Sequence, residues 1–273
     1  MTEALLQARG ISLGYPRDGG WQTVLEQFDL DLAPGEVVSI LGPSGVGKSS
    51  LLRVLAGLQQ PSAGGVTLHG EALQGPHPRL AVAFQDPSLL PWLSLERNVA
   101  FGLDFARQPK LAVSERRARI EHAIDAVGLT HARSQYPAQL SGGMAQRTAL
   151  ARCLARQPEV LLLDEPFGAL DEVTRADMQQ LLLQLIATHN TAAVLITHDI
   201  DEALLLSDRV LLLGNHPARV LGQWRIDLPQ PRTQRVEELG ALRIEILKTL
   251  RRASRSPEPQ PQTLPSETVH VHG

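Results

Sequence analysis

Residues 42–49 combine the residue types that hold a phosphate chain: three glycines, a lysine and a terminal hydroxyl. Their spacing matches the phosphate-binding loop, or P-loop, in which two glycines, a lysine and a serine or threonine are fixed. Glycines let backbone N–H groups turn inward around phosphate oxygens, and a helix that starts here points its positive end at them. The alternative, an ordinary glycine turn before a helix, requires all four fixed positions to coincide by chance. The sequence therefore predicts nucleotide binding.

Single residues of this loop have predicted roles. Lys48 supplies a point charge for the β and γ phosphates, and Ser49 offers a hydroxyl to Mg²⁺. The predicted nucleotide contacts of the loop are Gly42, Pro43, Ser44, Gly45, Val46, Gly47, Lys48, Ser49 and Ser50.

Two adjacent acids, Asp164 and Glu165, follow the apolar run 160–163. Alone, an Asp-Glu pair after a strand is often only a solvated turn. In a chain that also has a P-loop, the pair fits a second phosphate-site element. The first acid reaches Mg²⁺ and the second faces the attacking water.

The elements that must position these residues follow an α/β pattern. Three apolar runs without alternation, 37–41, 160–163 and 193–196, predict strands that are covered on both faces. Each run ends in polar residues followed by a helical pattern, which is the rhythm of a parallel sheet. The first thirty-odd residues predict short strands with a turn at Pro16–Gly20. We expect a P-loop NTPase core, a mainly parallel sheet with helices, together with an N-terminal antiparallel β portion.

Residues 88–155 have a helical pattern instead and predict a helical subdomain inserted into the sheet domain. Ser114 is the expected cap of one helix, which Gly128 closes. A second helix is expected to begin near Ser141 and to stop before Pro158.

The composition narrows the possible functions. The net charge of the 273 residues is −3, so we expect no nucleic-acid partner, and 4% aromatic residues argue against a base-stacking platform. The single cysteine, Cys153, excludes an internal disulfide and is expected to be a small buried residue on a helix. No run of about 18 apolar residues is present, and the first residues do not resemble a secretory signal. Any membrane role is therefore expected to involve a partner.

The segment 140–144, Leu-Ser-Gly-Gly-Met, resembles the signature of the ATP-binding cassette (ABC) ATPases, which few other P-loop ATPases have. Ser141 and the two glycines would open a helix with free N–H groups, a second anion site, although a plain serine cap is the simpler alternative. In that family this loop faces the P-loop of a second copy. The resemblance thus implies a homodimer that sandwiches two ATP molecules, with Ser141, Gly142 and Gly143 as nucleotide contacts.

One position departs from the usual family pattern. Met144 stands where glutamine is usual, and a thioether cannot donate the hydrogen bond that an amide can. Met144 is similar to what the nitrate, sulfonate and taurine importers often have, but no side-chain contact with ATP is predicted for it.

Four further positions match the family in the expected order, and each has an ordinary alternative. Tyr15 resembles the aromatic residue that stacks on adenine, but alone it would be a turn or core residue. Gln85 resembles the glutamine that touches Mg²⁺ and water. Asp171 lies in a segment that resembles the loop linking the two copies, although by itself it is an ordinary helix cap. His198 resembles the histidine that contacts the γ-phosphate. Nearby, Asp199 and Glu202 have capping-box spacing, which is enough to explain them.

The resemblance implies phosphoryl transfer from ATP to water, in which Glu165 polarises the water. The implied catalytic residues are Glu165, His198, Lys48 and Gln85. The implied Mg²⁺ ligands are Ser49, Gln85 and Asp164.

Residues 1–234 are expected to form the ABC ATPase domain. The apolar positions Leu242, Ile246, Leu247 and Leu250 predict a C-terminal helix, placed at 235–255. Residues 256–273, which are rich in proline, are expected to be a disordered tail.

Several stretches resemble the branch of nitrate, sulfonate and taurine importers, namely 84–92, 98–103, 166–171 and 226–232. This implies separate transmembrane permease subunits, a periplasmic solute-binding protein that acts indirectly, and a peripheral location at the cytoplasmic face of the cell inner membrane. An aliphatic sulfonate is the first choice of solute, and taurine or nitrate comes next.

Two other functions stay open. One is the ATPase of a lipid or lipoprotein ABC system, and the other is a soluble ABC ATPase that acts on ribosomes or DNA. Soluble members usually have two cassettes or a long coiled-coil insert, whereas this chain has one cassette and no sustained heptads.

Leu90 and Trp92 form an apolar pair at the start of the helical insert. If exposed, they are a reasonable docking surface for a permease helix. The alternative is that Trp92 packs on the core of the insert.

Overall fold

The computed structural model describes residues 4–17, 20–233 and 235–253. The strands among these residues are β1 Leu6–Arg17, β2 Gly20–Leu32, β3 Val37–Leu41, β4 Ala63–Leu68, β5 Glu71–Ala72, β6 Leu80–Ala83, β7 Val160–Asp164, β8 Ala192–Ile196, β9 Arg209–Gly214 and β10 Arg219–Arg225. The α-helices are α1 Lys48–Leu55, α2 Leu95–Ala100, α3 Val113–Ala126, α4 Gly142–Leu154, α5 Glu172–His189, α6 Ile200–Leu206 and α7 Val236–Ala253.

Two sheets form the framework. The strand order β2-β1-β4-β5 makes a four-stranded antiparallel sheet, and β10-β9-β3-β8-β7-β6 makes a six-stranded sheet. Within the larger sheet β10 pairs antiparallel with β9, and the other four pairs are parallel. The predicted fold class, a mainly parallel α/β core with an N-terminal antiparallel β portion, is confirmed.

The N-terminal strands are longer than the sequence predicted. β1 has 12 residues and β2 has 13, and their register runs from Leu6 opposite Leu32 to Arg17 opposite Gly20. The register shifts between Ala8 and Gly14 interrupt the alternation of side chains without ending the strand. Pairing across the hairpin keeps both strands extended past such irregularities, which a pattern read from one strand does not show.

The inserted helices α3 and α4 differ in how well their predicted starts agree with the structure. α4 starts after Ser141, as predicted, but the expected cap Ser114 is wrong, because the N-cap of α3 is Ala112, two residues earlier. The amide of Arg116 donates to the Ala112 carbonyl at 2.9 Å, so the helical hydrogen bonds start there. Gly128 ends this helix in the left-handed region, at φ 67°, as predicted.

The C-terminal part of the described chain is the helix α7. The predicted tail, 256–273, lies outside the described residues. The proposed boundaries at 234 and 255, and those of the subdomain 88–155, stay predictions.

The core lies on both faces of the six-stranded sheet. One apolar cluster fills the space between this sheet, α1 and the antiparallel sheet, and another packs the opposite face against α4, α5 and the inserted helices. Every residue of β3, β7 and β8 is buried, as the runs without alternation predicted. Cys153 is buried on α4, as predicted, and burial raises the pKa of its thiol to about 11. Among the described residues, no helix is long and apolar enough to cross a bilayer.

Parallel pairing brings four chain segments to one edge of the sheet. β3, β8, β7 and β6 are consecutive neighbours, and their carboxyl ends lead into the segments that begin at Gly42, Thr197, Glu165 and Phe84. In open α/β sheets ligands bind at this edge. The fold therefore places the P-loop, both acids, His198 and Gln85 on the same side of the sheet.

The segment 226–232 is held by one buried arginine. Arg232 is 2% exposed, and its guanidinium donates to carbonyl oxygens at the C-terminal end of α6 and within the segment itself. The acceptors are Leu204, Ser207, Ile226 and Leu228, at 2.6 to 3.3 Å. Burial lowers the pKa of Arg232, and Asp208, at 3.6 Å, opposes that shift.

Replacing Arg232 with alanine should destabilise the protein strongly, because it leaves several buried carbonyls without donors. We expect a loss of about 3 kcal/mol or more in the free energy of unfolding. The matched control is Arg225→Ala, whose side chain is 80% exposed and pairs loosely with Asp227 at 3.7 Å. It should change stability by less than about 0.5 kcal/mol. Urea unfolding measures both stabilities. Equal stabilities of the two variants would show that the hydrogen bonds of Arg232 do not stabilise the fold.

Candidate nucleotide-binding site

The P-loop reaches α1 through glycines in the left-handed region. Gly45 has φ 79° and Gly47, the N-cap of α1, has φ 98° with no side-chain cap. A Cβ on Gly42 would lie 2.8 Å from the Leu213 carbonyl oxygen, so this glycine is required by close packing. Because no side chain caps α1, its first N–H groups are available for an anion.

Lys48 is folded back across the loop. Its Nζ donates to the carbonyl oxygens of Gly42, at 2.8 Å, and Pro43, at 2.9 Å, and the residue is 6% exposed. Burial lowers the pKa of Lys48, while the charges of Glu165 and Asp164 raise it. The lysine is thus a buried cation held next to the two acids.

Asp164 and Ser49 present the oxygen atoms that a hard cation prefers. Asp164, the last residue of β7, is 4% exposed, and the Ser49 hydroxyl lies near its carboxylate. Burial raises its pKa, and Glu165 raises it further, whereas Ser49 and Lys48 lower it. This raised pKa reflects a negative charge that its surroundings only partly compensate. Hydroxyl and carboxylate ligands fit Mg²⁺, so the residues present are compatible with that ion.

Glu165 lies between Gln85 and His198. Gln85 Nε2 donates to Glu165 Oε2 at 3.1 Å, and His198 Nδ1 donates to Glu165 Oε1 at 3.1 Å. A carboxylate only accepts, so Nδ1 carries the proton of that bond. Glu165 has φ 46°, an uncommon conformation for a side chain of this size, and its N–H donates to the Ile196 carbonyl. This hydrogen bond fixes the backbone of Glu165 and, with it, the position from which the carboxylate projects.

Tyr15 stands on the other side of the P-loop. Its hydroxyl donates to Ser50 Oγ at 2.9 Å and accepts from Gln59 Nε2 at 3.0 Å, and the residue is 38% exposed. No local sequence pattern singles out Gln59, because its partner is 44 residues away. The two hydrogen bonds fix the tyrosine beside the loop.

The signature segment and Asp171 lie apart from the P-loop of their own chain. Ser141 caps α4 by accepting from the Met144 N–H at 3.3 Å, and Asp171 caps α5 by accepting from the Thr174 N–H at 3.0 Å. This hydrogen bond lowers the pKa of Asp171. Within the part of the chain that the structure describes, no hydrogen bond or ion pair joins these segments to 42–49. Met144 packs half-buried against the apolar cluster on that face of the sheet.

A capping box has two reciprocal hydrogen bonds, and the described contacts at the start of α6 include one of them. Asp199 accepts from the N–H groups of Asp201, at 2.8 Å, and Glu202, at 3.2 Å. The return bond is absent from the described contacts, because the Asp199 N–H donates to Thr197 Oγ1 at 3.1 Å. The Glu202 side chain is buried instead, so helix capping does not explain it.

Comparison with known proteins agrees with this geometry. Residues 25–168 match the ABC transporter family. The chain is 47% identical over 235 residues to an aliphatic sulfonates import ATP-binding protein of Burkholderia cenocepacia, covering 85% of this chain and 84% of that protein. It is 44% identical over 231 residues to a nitrate transport protein of Klebsiella oxytoca, covering 84% and 88%. A solved dimeric ATP-binding cassette, in a post-hydrolysis state with ADP and Pi, superposes with TM-score 0.75 at 29% identity, covering 82% of this chain and all of that one.

Proposed function

The chain belongs to the ABC transporter family, and from this membership we propose that it is the ATP-hydrolysing subunit of an importer for a small anionic solute. One observation supports this most directly: the Glu165 carboxylate is held by Gln85 and His198 beside the P-loop. A binding module without hydrolysis needs no carboxylate oriented from two sides.

The proposed ATP site is made by the P-loop and Tyr15. The exposed ring of Tyr15 would stack on adenine, and the N–H groups of 42–49 with Lys48 would hold the phosphates. Lys48 would exchange its two carbonyl acceptors, Gly42 and Pro43, for phosphate oxygens, to which a cation bonds more strongly.

The proposed Mg²⁺ ligands are Ser49, Asp164 and Gln85. Gln85 donates its amide N–H to Glu165, which leaves its carbonyl oxygen as the ligand atom. When bound, Mg²⁺ would neutralise charge on the phosphates.

Glu165 would polarise the attacking water. Its two oxygens accept from Gln85 and His198, and each has a second lone pair for the water. His198 donates from Nδ1, so its Nε2 is the atom that would meet the γ-phosphate. Positioning and charge neutralisation supply most of the rate in such reactions.

We propose that the functional unit is a homodimer. Ser141, Gly142, Gly143 and Asp171 have no bond to the P-loop of their own chain, and they would contact the nucleotide of the second copy. The dimeric state of the solved cassette supports this arrangement.

The proposed permease contact is the apolar pair Leu90 and Trp92 of the helical insert. Trp92 is 69% exposed, while Leu90 is half-buried. This exposure excludes the alternative that Trp92 packs on the core of the insert. Exposed aromatic residues are frequent energetic centres of protein interfaces, so we assign this surface to a permease subunit.

The relatives support an importer of small anions. The named relatives act in sulfonate import and nitrate transport. We propose an aliphatic sulfonate as the first solute and taurine or nitrate next, with a periplasmic solute-binding protein as an indirect partner. The protein would sit peripherally at the cytoplasmic face of the inner membrane.

Growth on single sulfur sources tests the solute. A strain that lacks the gene should fail on an alkanesulfonate or taurine and grow normally on sulfate, and the wild-type gene should restore growth while Glu165→Gln should not. Normal growth of the deletion strain on every sulfur source, with no redundant transporter present, would contradict the sulfonate proposal and make nitrate the first candidate solute.

Glu165→Gln should bind ATP with a Kd within about twofold of wild type and lose about 10²- to 10⁴-fold in kcat, because the amide cannot accept the proton of the water. Single-turnover hydrolysis and ATP titration measure the two quantities. Hydrolysis at the wild-type rate would show that Glu165 is not the general base.

Trp92→Ala should weaken binding of the permease by about 2 kcal/mol, or about thirtyfold in Kd, if Trp92 is a centre of the interface. Trp21→Ala is the matched control, because Trp21 is 60% exposed but belongs to the antiparallel sheet. Equal affinity of both variants for detergent-purified permease would refute the surface.

A further inference from the structure

A small cavity lies beside Glu165. Its volume is about 90 Å³, and it is lined by residues that follow β7 and β8 and by the first turns of α5 and α6. The titratable groups that face it are Glu165, Arg175, His198, Asp199 and Glu202. The mechanism above gives no role to Glu202 or Arg175.

Glu202 is the buried acid of this cavity. It is 7% exposed, and its Oε2 accepts from Gln179 Nε2 of α5 at 3.5 Å. The Thr197 hydroxyl, which accepts the Asp199 N–H at 3.1 Å, lies close enough to the Glu202 carboxylate to lower its pKa. Glu202 thus lies between the short loop that contains His198 and the neighbouring helix α5.

The helix on the other side of the cavity leads to a second part of the site. α5 begins at its cap Asp171, and Arg175 in its second turn donates to the Leu170 carbonyl at 3.0 Å. The positive charge of Arg175 also acts on Glu202. One carboxylate therefore connects the His198 loop with the helix that positions Asp171.

Burial makes this carboxylate titrate near neutral pH. Desolvation raises the pKa of Glu202 to about 7, and Asp199 raises it as well, while Thr197, Arg175 and Gln179 lower it. The ionised form accepts the Gln179 hydrogen bond best but is the less favourable form to bury. Its charge therefore helps positioning and costs stability.

We propose that Glu202 is a positioning residue for ATP hydrolysis, which fixes the His198 loop to α5 so that His198 and Glu165 stay aligned. This inference rests on the proposed function, since it concerns the orientation of residues that act on ATP. Glu202 itself touches neither ATP nor the attacking water.

The substitution that tests it is Glu202→Gln, which keeps the shape and removes the charge. At pH 8 we expect kcat to fall about tenfold, with KM for ATP within about twofold, because only the alignment of the reacting groups changes. The ratio of wild-type to variant kcat should shrink between pH 8 and pH 6, where wild-type Glu202 is itself protonated.

Thermal stability should change in the opposite direction. A group whose pKa is raised on folding loses stabilisation as the pH rises from its unfolded value to its folded one, here from about 4.5 to about 7. The variant has no such loss, so its Tm at pH 8 should equal or exceed that of wild type. A merely structural role would lower kcat and Tm together, and that result would overturn the proposal.

Controls keep the outcomes distinct. Glu245→Gln removes an exposed charge from α7 and should match wild type in kcat and Tm. If Glu202→Gln does not fold, Gln179→Met removes the other partner of the contact and should lower kcat about threefold at constant KM. Unchanged kcat in the variant that folds would refute the proposal.

The result with Glu165→Gln separates this inference from the proposed function. An active Glu165→Gln would refute the assignment of the site itself. An inactive Glu165→Gln beside a Glu202→Gln of normal kcat would refute the role of Glu202 alone.

Discussion

The parallel hydrogen-bond register of the six-stranded sheet is the constraint on which the site depends. Ile40 pairs with Ile196, and Ile196 pairs with Asp164, so three neighbouring strands end at the same height. The residues that follow them reach one another without long side chains or long loops. Since every residue of β3, β7 and β8 is buried, a slip of this register would draw the polar residues that follow the strands into the core and is strongly opposed. Packing of the core therefore fixes the relative positions of the site residues that follow these strands.

Desolvation gives the site its electrostatic character. Burial lowers the pKa of Lys48 and raises that of Asp164, so each charge is disfavoured by its surroundings and partly supported by the other. A phosphate chain and a cation would stabilise this pair. The phosphates would bring negative charge to Lys48, and the cation would bring positive charge to Asp164. Glu165 differs, because its two oxygens are held by neutral or weakly basic donors, Gln85 and His198. The site thus combines two buried opposite charges beside the P-loop with a carboxylate whose orientation is fixed from two sides.

Much of the fold and of the site was predictable because the responsible patterns are local. The P-loop spacing, the unbroken apolar strands and the Ser141 cap each occupy a few consecutive residues, and the structure shows the expected element at each. Predictions failed where distant contacts decide. The long hairpin β1–β2 depends on cross-strand pairing. The start of α3 is a local exception, because Ala112 takes the N-cap position in place of Ser114 without a side-chain hydrogen bond. Glu202 has a spacing that explains it as a cap, while its buried contact with Gln179 exists only in the folded chain.

The position of His198 depends on contacts at both ends of α6. At the start of the helix, Asp199 caps the first turn, and Arg243 of α7 pairs with Asp201 at 2.7 Å. At its end, Arg232 donates to the carbonyls of Leu204 and Ser207. A helix of seven residues has few internal hydrogen bonds, so its orientation is set by these external contacts. The C-terminal segment, which lies outside the nucleotide site, is consequently part of what holds the histidine next to Glu165.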